Sequence, residues 1–284
     1  MTIKTFVEHV LAEGQKYYRD FAWRNTTDPY AILLSEIMLQ QTQVGRVVNY
    51  YGVWTRRYPT LDALAAADTA DVLSDWQGLG YNRRALALKR LAVEVSEQRL
   101  GVLPASYEEL QQLPGVGPAT AAGVMAFAHN SFAPYLETNV RSVVLHEMFA
   151  GSDEVCDKDI MAVVKQAADY LQTQRGESEQ LGADARTWNY ALLDYGAWLK
   201  KTFPNPSRRS KHHTKQSRFE GSFRQKRAAL LREILEGSGQ SAAELAVGCE
   251  IELADTERVL DVLLKEGFIR RSGCGGSCRY FVCD

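Results

Sequence analysis

A glycine-rich turn is the part of this sequence best suited to binding an anion. It comprises Leu113-Pro-Gly-Val-Gly117 and is followed by Pro118, which suits the first position of a helix. Ser106 and Glu109 predict a capping box that opens the preceding helix. Glycines tolerate the positive φ of a tight turn, and a turn that opens a helix leaves backbone N–H groups pointing outward. Such groups bind a phosphate or a phosphate-bridging cation, so the sequence predicts a hairpin that clamps a DNA backbone.

An acidic side chain lies within another predicted helix. Asp28 and Pro29 suit an N-cap and a first helical residue, which predicts a helix from Pro29 to about Gln43. Glu36, Gln40 and Gln43 share one face of this helix at three-to-four spacing. On periodicity alone, that face is an ordinary solvent-exposed one.

An aromatic residue stands at a glycine-containing turn beside basic residues. Gly78-Leu-Gly-Tyr81 interrupts the helical pattern before a helix that carries Arg83, Arg84, Lys89 and Arg90. A tyrosine in this setting suits a side chain that enters a DNA stack, because base–aromatic stacking contributes roughly 1–3 kcal/mol. A buried tyrosine at a helix junction is an equally compatible interpretation.

The elements that must position these residues are helical. No stretch before residue 265 alternates like a strand, which predicts an all-α domain over residues 1–203. Its later helices are predicted at Lys158–Leu171 and Arg186–Lys201, and the polar stretch Gln174–Asp184 is predicted to be a surface loop.

A change in composition separates this domain from the rest of the chain. Basic residues accumulate between Lys200 and Arg227, and Pro204 and Pro206 oppose a regular helix. We therefore predict that residues 204–222 form an extended basic linker, in which Arg208, Arg209 and Lys211 contact phosphates. The alternative is a solvated tether.

The pattern of residues 223–284 predicts a second, smaller domain of the winged helix-turn-helix type. A first helix is expected to end at about Glu236. The capping box Ser241-Ala-Ala-Glu244 is expected to open a short second helix, and a third helix is expected from Thr256 to Glu266. Gly267 ends the last helix, and two short strands follow at 268–272 and 279–282. The third helix carries acidic as well as basic residues, so base recognition and a packing or protein-contact role are equally compatible with it.

Composition limits the cellular context and the cofactors. The formal net charge is −2, which does not by itself indicate a nucleic-acid partner, and no apolar run is long enough to span a bilayer. The first residues lack a signal-peptide core, so we expect a cytoplasmic protein. We further expect a monomer that is associated with the nucleoid through the DNA binding predicted above. Five scattered cysteines fit neither a disulfide framework nor a common zinc pattern. We predict no metal ligands among them.

Together these motifs resemble the helix-hairpin-helix (HhH-GPD) DNA glycosylase superfamily, and within it the adenine glycosylases of the MutY type. The resemblance extends from about Trp23 to Trp198 and is carried by Trp23-Arg24, Asp28-Pro-Tyr30, Ser35 to Val44, Gly78 to Tyr81, the hairpin, and Asn189 to Gly196. It implies a two-lobed all-α fold and a partner of double-stranded DNA with a lesion or mismatch. It also implies excision of a flipped-out base.

The resemblance implies roles for two carboxyl groups. Glu36 falls on the family's catalytic glutamate and is assigned as the general acid/base. Glu137 is assigned as the electrostatic partner that stabilises the oxocarbenium-like sugar, and Asn139 orients it. The family has aspartate where this chain has Glu137. Either the backbone compensates for the extra methylene or the chemistry differs.

Other family positions bear on the reaction type and the cofactors. Ala119 occupies the place of the lysine with which strand-cleaving relatives form a Schiff base, so monofunctional base removal is expected. Many relatives bind an iron–sulfur cluster through four cysteines just after this domain. The region from Tyr195 to Arg224 has no cysteine, so no cofactor is expected apart from a structural sodium or potassium ion at the hairpin.

The resemblance leaves several substrates open. Arg24 and Gln40-Gln41 match adenine-glycosylase positions, whereas Tyr190 replaces a pocket Glu or Gln and the 8-oxoguanine recognition domain is missing. Adenine opposite 8-oxoguanine or guanine is the leading expectation. Mismatched uracil or thymine, hypoxanthine, and a catalytically silent DNA-binding protein are the alternatives. The expected base pocket is Arg24 and Tyr190; the expected DNA contacts, besides those of the linker, are Gln40, Gln41, Tyr81, Arg83, Leu113, Gly115, Val116, Gly117, Thr120 and Arg141.

Overall fold

The computed structural model describes residues 1–152, 154–174, 184–212, 218–273 and 278–283. Most of the predicted surface loop Gln174–Asp184 and of the turn between the two C-terminal strands lies outside these residues. The predicted all-α architecture with a small C-terminal α+β part is confirmed. None of the described helices is long and apolar enough to cross a membrane.

The helices are numbered in chain order. They are α1 (Ile3–Lys16), α2 (Pro29–Leu39), α3 (Val44–Arg57), α4 (Leu61–Ala66), α5 (Thr69–Asp75), α6 (Arg83–Arg99), α7 (Tyr107–Leu110), α8 (Pro118–Phe127), α9 (Thr138–Glu147), α10 (Asp157–Gln174), α11 (Ala185–Thr202), α12 (Phe223–Glu236), α13 (Ala242–Gly248) and α14 (Leu253–Lys265). The strands β1 (Ile269–Ser272) and β2 (Arg279–Val282) pair antiparallel, with Ile269 opposite Val282.

The chain forms two compact units, and each contains two separate stretches of sequence. The first unit comprises Met1–Gln40 and Leu103–Lys215, and the second comprises Gln41–Val102 and Gln216–Asp284. This division differs from the predicted boundaries after residues 203 and 222, because the C-terminal residues cluster with residues 41–102. Local sequence signals cannot reveal an association between segments so far apart.

In the first unit, α2 begins as predicted and ends early. The Asp28 carboxylate accepts hydrogen bonds from the N–H groups of Tyr30 and Ala31, and Pro29 is the first helical residue. The helix was expected to reach Gln43 but ends at Leu39, because the next residues leave the helical conformation and Gln41 has φ of +53°. Eight of its eleven residues are buried, so α2 is a core helix that presents only a narrow polar edge.

The hairpin between α7 and α8 forms largely as expected. Ser106 caps α7 through the Glu109 N–H, and Pro118 opens α8. Gly115 has φ of +77°, but Gly117 has φ of −89° and serves as the N-cap of α8, so the expectation of a positive φ was wrong for that glycine. Its N-cap position requires an extended backbone, which any residue can adopt.

Two glycines set how closely α11 approaches its neighbours. A Cβ on Gly14 would lie 2.3 Å from the Cβ of Ala191, and one on Gly196 would lie 2.3 Å from the carbonyl oxygen of Asn139. The absent side chains therefore allow α11 to pack directly against α1 and against the first turn of α9. That contact fixes the end of α9 that carries Glu137.

The segment after α11 is folded back rather than extended. Pro206–Arg209 forms a 3-10 helix, and the Arg209 guanidinium donates hydrogen bonds to the carbonyl oxygens of Leu145 and Phe149 near the end of α9. The Lys211 N–H donates to the Val155 carbonyl oxygen. A cation at the carboxyl end of a helix satisfies terminal carbonyls and complements the helix dipole, which explains the difference from the predicted linker.

The second unit combines the helices α3 to α6 with the C-terminal helices and strands. The expected capping box at Ser241 and Glu244 is present, and Gly267 has φ of +74° at the end of α14. The last helix begins at Leu253, three residues before the predicted Thr256, because Glu252 already serves as its N-cap. Three helices followed by a β-hairpin agree with the predicted winged-helix pattern, and α12 packs against α5.

Candidate active site

Glu36 is held on the buried helix α2, against the backbone of α8. A Cβ on Gly123 would lie 2.2 Å from Oε2 of Glu36, so a side chain at residue 123 would occupy the place of that carboxyl group. The hydroxyl of Tyr135 donates a hydrogen bond to the same oxygen at 3.4 Å. The carboxyl group therefore has a defined position in the core of the first unit.

The protonation of Glu36 is strongly perturbed. Burial, followed by the negative charge of Glu137, raises the pKa of Glu36 to about 8, although the Tyr135 hydroxyl and the Arg24 charge oppose the rise. Both causes disfavour the charged form. The Glu36 carboxyl group is therefore protonated at neutral pH, which is the state that a general acid requires.

Glu137 caps a helix through its side chain. Its Oε1 accepts hydrogen bonds from the backbone N–H groups of Asn139 at 2.6 Å and Val140 at 3.3 Å, so it is the N-cap of α9. Burial raises the pKa of Glu137, whereas the positive charge of Lys200 and these N–H groups lower it. Backbone donors at a helix N-terminus thus hold this carboxylate in a fixed orientation.

Asn139 contacts Glu137 through its backbone N–H. Its side-chain Oδ1 is buried and has no hydrogen-bond partner within the part of the chain that the structure describes. A buried amide oxygen without a partner is costly, which is consistent with an acceptor aimed at a bound molecule. The predicted orienting role of the Asn139 side chain stays a prediction.

The predicted base-pocket residues Arg24 and Tyr190 lie together, and the charge of Arg24 is paired. The Arg24 guanidinium forms two hydrogen bonds with the buried carboxylate of Asp194, at 2.6 and 2.9 Å, and Arg19 donates to the same group at 2.6 Å. The guanidinium of Arg24 also lies 4.2 Å from the ring centroid of Tyr190, which stacks on Phe127. The arginine therefore orders the wall of the site beside Glu36.

Sequence reasoning missed three of these neighbours. Tyr135, Lys200 and the pairing of Asp194 with Arg24 were not predicted. Only Tyr135 had a local signal, because it stands two residues before Glu137; Asp194 lies 170 residues from Arg24 in the chain. Burial also lowers the pKa of Lys200, while the charge of Glu137 opposes that shift.

The predicted DNA contacts of the first unit fall into different environments. In the hairpin, Gly115 and Gly117 are exposed while Leu113 and Val116 are buried, so the turn presents backbone and anchors itself by its apolar side chains. Thr120 is buried and accepts a hydrogen bond from the Gln40 side chain at 2.9 Å.

Two of the basic side chains that were predicted to contact DNA in the first unit already have partners within the protein. Arg141 forms two hydrogen bonds with Asp157, at 2.6 and 3.0 Å, and Arg209 binds the end of α9. Arg208 and Lys211 have exposed side chains. Exposed cations are therefore the stronger candidates for phosphate contacts in this segment.

The remaining predicted DNA contacts belong to the second unit. Gln41 and Tyr81 both adopt positive φ, at +53° and +51°. The Tyr81 hydroxyl accepts a hydrogen bond from Arg224 at 2.6 Å, and Arg83 forms an ion pair with Glu266. The structure thus holds Tyr81 in a strained backbone conformation, as is common at functional sites.

The chain does not offer the ligands of an iron–sulfur cluster at the expected place. Residues 195–224 contain no cysteine. Within the described ranges, no three His, Cys, Asp or Glu side chains converge in a way that would hold a metal ion. The expectation that the chain binds no iron–sulfur cluster stays a prediction.

The sequence of the chain is similar to those of known proteins. The profile of the HhH-GPD superfamily base excision DNA repair proteins matches residues 34–167. An adenine DNA glycosylase of Mycobacterium tuberculosis is 35% identical over 280 residues, covering 93% of this chain and 90% of that protein.

Two further relatives are named for other bases. A thymine/uracil-DNA glycosylase of Methanothermobacter thermautotrophicus is 31% identical over 195 residues, covering 68% of this chain and 84% of its own length. A solved thermostable thymine-DNA glycosylase superposes with a TM-score of 0.58 at 28% identity, covering 69% of this chain and 86% of the other.

Proposed function

The chain belongs to the HhH-GPD superfamily of base excision DNA repair proteins and is a DNA glycosylase, and from this premise we propose that Glu36 and Glu137 hydrolyse the N-glycosidic bond of an extruded base. The observation that carries the proposal is the acidic pair, whose two carboxyl groups have different surroundings. Glu36 is protonated at neutral pH, and the carboxylate of Glu137 is fixed by backbone N–H groups. Two carboxyl groups with different environments supply an acid and an electrostatic stabiliser.

The proposed reaction uses one proton that is later recovered. The Glu36 carboxyl group protonates the base while the C1′–N bond breaks and its electron pair leaves with the base. The Glu137 carboxylate stabilises the positive charge on the sugar. Water then adds to C1′ and gives its proton to the Glu36 carboxylate. The products are a free base and an abasic strand.

We infer that adenine opposite 8-oxoguanine or guanine is the substrate. Adenine is a poor anionic leaving group and must be protonated, whereas uracil and thymine leave more readily as anions. A glutamate with a pKa of about 8 supplies the proton that adenine needs. The Mycobacterium tuberculosis relative, an adenine DNA glycosylase by name, supports this choice. Mismatched thymine or uracil is the second candidate, favoured by the other two relatives.

The enzyme is proposed to be monofunctional and to need no metal or cluster. Ala119 provides no amine at the family's lysine position, so no Schiff base with the sugar is expected there. Borohydride treatment during turnover should therefore trap no covalent protein–DNA adduct. Trapping of an adduct would contradict monofunctional action.

A substrate panel tests the proposal. The protein is incubated with duplexes containing A:8-oxoG, A:G, T:G, U:G or hypoxanthine, and alkali then reveals abasic sites. We expect release of adenine by the wild type and almost none by Glu36→Gln, with duplex binding retained. Binding without release from any duplex would favour a catalytically silent protein, and unchanged release by Glu36→Gln would remove Glu36 from the mechanism.

A further inference from the structure

We propose that Arg224, at the start of α12 in the C-terminal part of the chain, positions Tyr81 for insertion into the DNA stack. The inference rests on the proposed function, because it takes Tyr81 to be the inserted side chain. It assigns the C-terminal helices and strands a role in base extrusion that does not depend on base recognition by α14.

The contact between the two residues is direct and has two components. Arg224 donates a hydrogen bond to the Tyr81 hydroxyl at 2.6 Å, and its guanidinium carbon lies 5.3 Å from the centre of the Tyr81 ring. The same guanidinium lies 5.3 Å from the ring centre of Phe219. A planar cation that both hydrogen-bonds to a phenol and lies near its ring restricts the ring's orientation.

Tyr81 requires such support because its backbone is unusual. Its φ of +51° lies in the left-handed region, which a tyrosine adopts only when its surroundings enforce it. Arg84 secures the backbone before it by donating to the carbonyl oxygens of Leu79 and Gly80. The backbone is thus held from α6, whereas the phenol end of the side chain is held from α12.

The helix that carries Arg224 is itself anchored. Ser222 caps α12 through the N–H of Gln225, and Glu266 at the end of α14 pairs with Arg227 on α12. Glu266 also pairs with Arg83, the first residue of α6, and its carbonyl oxygen accepts from Arg90 at 3.2 Å. These contacts tie α12 and α14 to the helix that follows Tyr81, so Arg224 has a fixed base from which to hold the ring.

The positioning role differs from a direct phosphate contact in a measurable way. If Arg224 acts through the Tyr81 hydroxyl, the effects of Arg224→Gln and Tyr81→Phe are not additive. If Arg224 contacts DNA independently, the two effects multiply and Arg224→Gln also lowers the salt dependence of binding.

The experiment measures extrusion and chemistry separately with the full chain. The fluorescence of 2-aminopurine beside the mismatch reports extrusion, and single-turnover adenine release reports the reaction. We expect Arg224→Gln and Tyr81→Phe each to lower both rates about tenfold while affinity for undamaged duplex changes less than twofold. The double variant should match the single ones, and Arg224→Lys should recover part of the loss. Arg232→Gln, an exposed arginine further along α12, is the matched control and should behave as wild type.

A DNA-free measurement separates this proposal from the proposed function. Protein labelled with 3-fluorotyrosine gives a ¹⁹F resonance for residue 81, identified by its loss in Tyr81→Phe. We expect Arg224→Gln, but not Arg232→Gln, to shift or broaden it, whether or not any base is released. An unchanged resonance, or multiplicative effects in the double variant, would overturn the positioning role.

Discussion

The acidic pair of the first unit and the Tyr81 turn of the second unit are built by different means. Glu36 and Glu137 are fixed by backbone, through the bare Cα of Gly123 and the N–H groups at the start of α9. The Tyr81 side chain is held by the guanidinium of Arg224, which belongs to a distant segment. Backbone contacts give a carboxyl group a fixed environment and hence a defined pKa. A side-chain contact orients an aromatic ring and depends on a distant segment of the chain.

The largest expected effect comes from neutralising the acid. Glu36→Gln should lower base release roughly 10²–10⁴-fold, because an amide cannot donate the proton. In the wild type, release should fall as the pH rises through about 8, where Glu36 loses its proton. Single-turnover rates of base release from pH 5 to 9 measure this decrease. A rate that is constant through pH 8 would contradict the role of Glu36 as the acid.

The same variant has an opposite effect on stability. The folded pKa of Glu36 lies above its ordinary value of 4.5, so the free energy of unfolding of the wild type should decrease as the pH rises from about 4.5 to about 8. Glu36→Gln removes this contribution. Thermal melts should therefore show a variant that gains stability over wild type at pH 8 and gains little at pH 4.

A second substitution moves the Glu36 carboxyl group without removing its charge. Gly123→Ala should lower base release about 10- to 100-fold, because the new methyl group must displace the Glu36 carboxyl group. Stability should change little, since the displaced atoms end a flexible side chain. Gly45→Ala is the matched control, because a Cβ there has no neighbour within 4 Å. Equal activity of the two variants would show that the exact place of the carboxyl group does not matter.

A smaller effect is expected from the hydroxyl beside the acid. Tyr135→Phe removes a hydrogen bond that lowers the pKa of Glu36. The descending limb of the pH profile should move to higher pH, while the rate at pH 7 should change less than about fivefold, in line with the loss of one weak hydrogen bond. A limb that moves to lower pH would contradict the contact.

The smallest effects concern the segment after α11. Arg208→Ala should flatten the salt dependence of DNA binding by about one unit of slope and leave the melting temperature unchanged, because its side chain is exposed. Arg209→Ala should do the reverse and cost about 1 kcal/mol, because it binds carbonyl groups at the end of α9. If both variants changed only the salt slope, the folded-back segment would not exist in solution.

Local sequence signals predicted where several helices begin, but they could not predict contacts between residues that are distant in the sequence. The N-cap at Asp28, the capping box at Ser241 and Pro118 at the start of α8 depend on neighbouring residues, so the sequence placed them correctly. The early end of α2 and the folding back of Pro206–Arg209 depend on packing partners that no local pattern specifies.

The same distinction applies to the site. The motif around Glu36 implied a catalytic role by resemblance, but it could not reveal the surroundings that raise the pKa of Glu36. The partner of Arg24 lies 170 residues away, and the partner of Tyr81 lies 143 residues away. Such pairings become visible only when the chain is folded.

The discontinuity of the second unit has a consequence for protein synthesis. Helices α3 to α6 leave the ribosome long before α12, which packs against α5, has been made. The part of α5 that α12 covers therefore stays uncovered while residues 103–215 of the first unit are translated, and pairing over such separations is slow. The last helices therefore complete the second unit only at the end of synthesis.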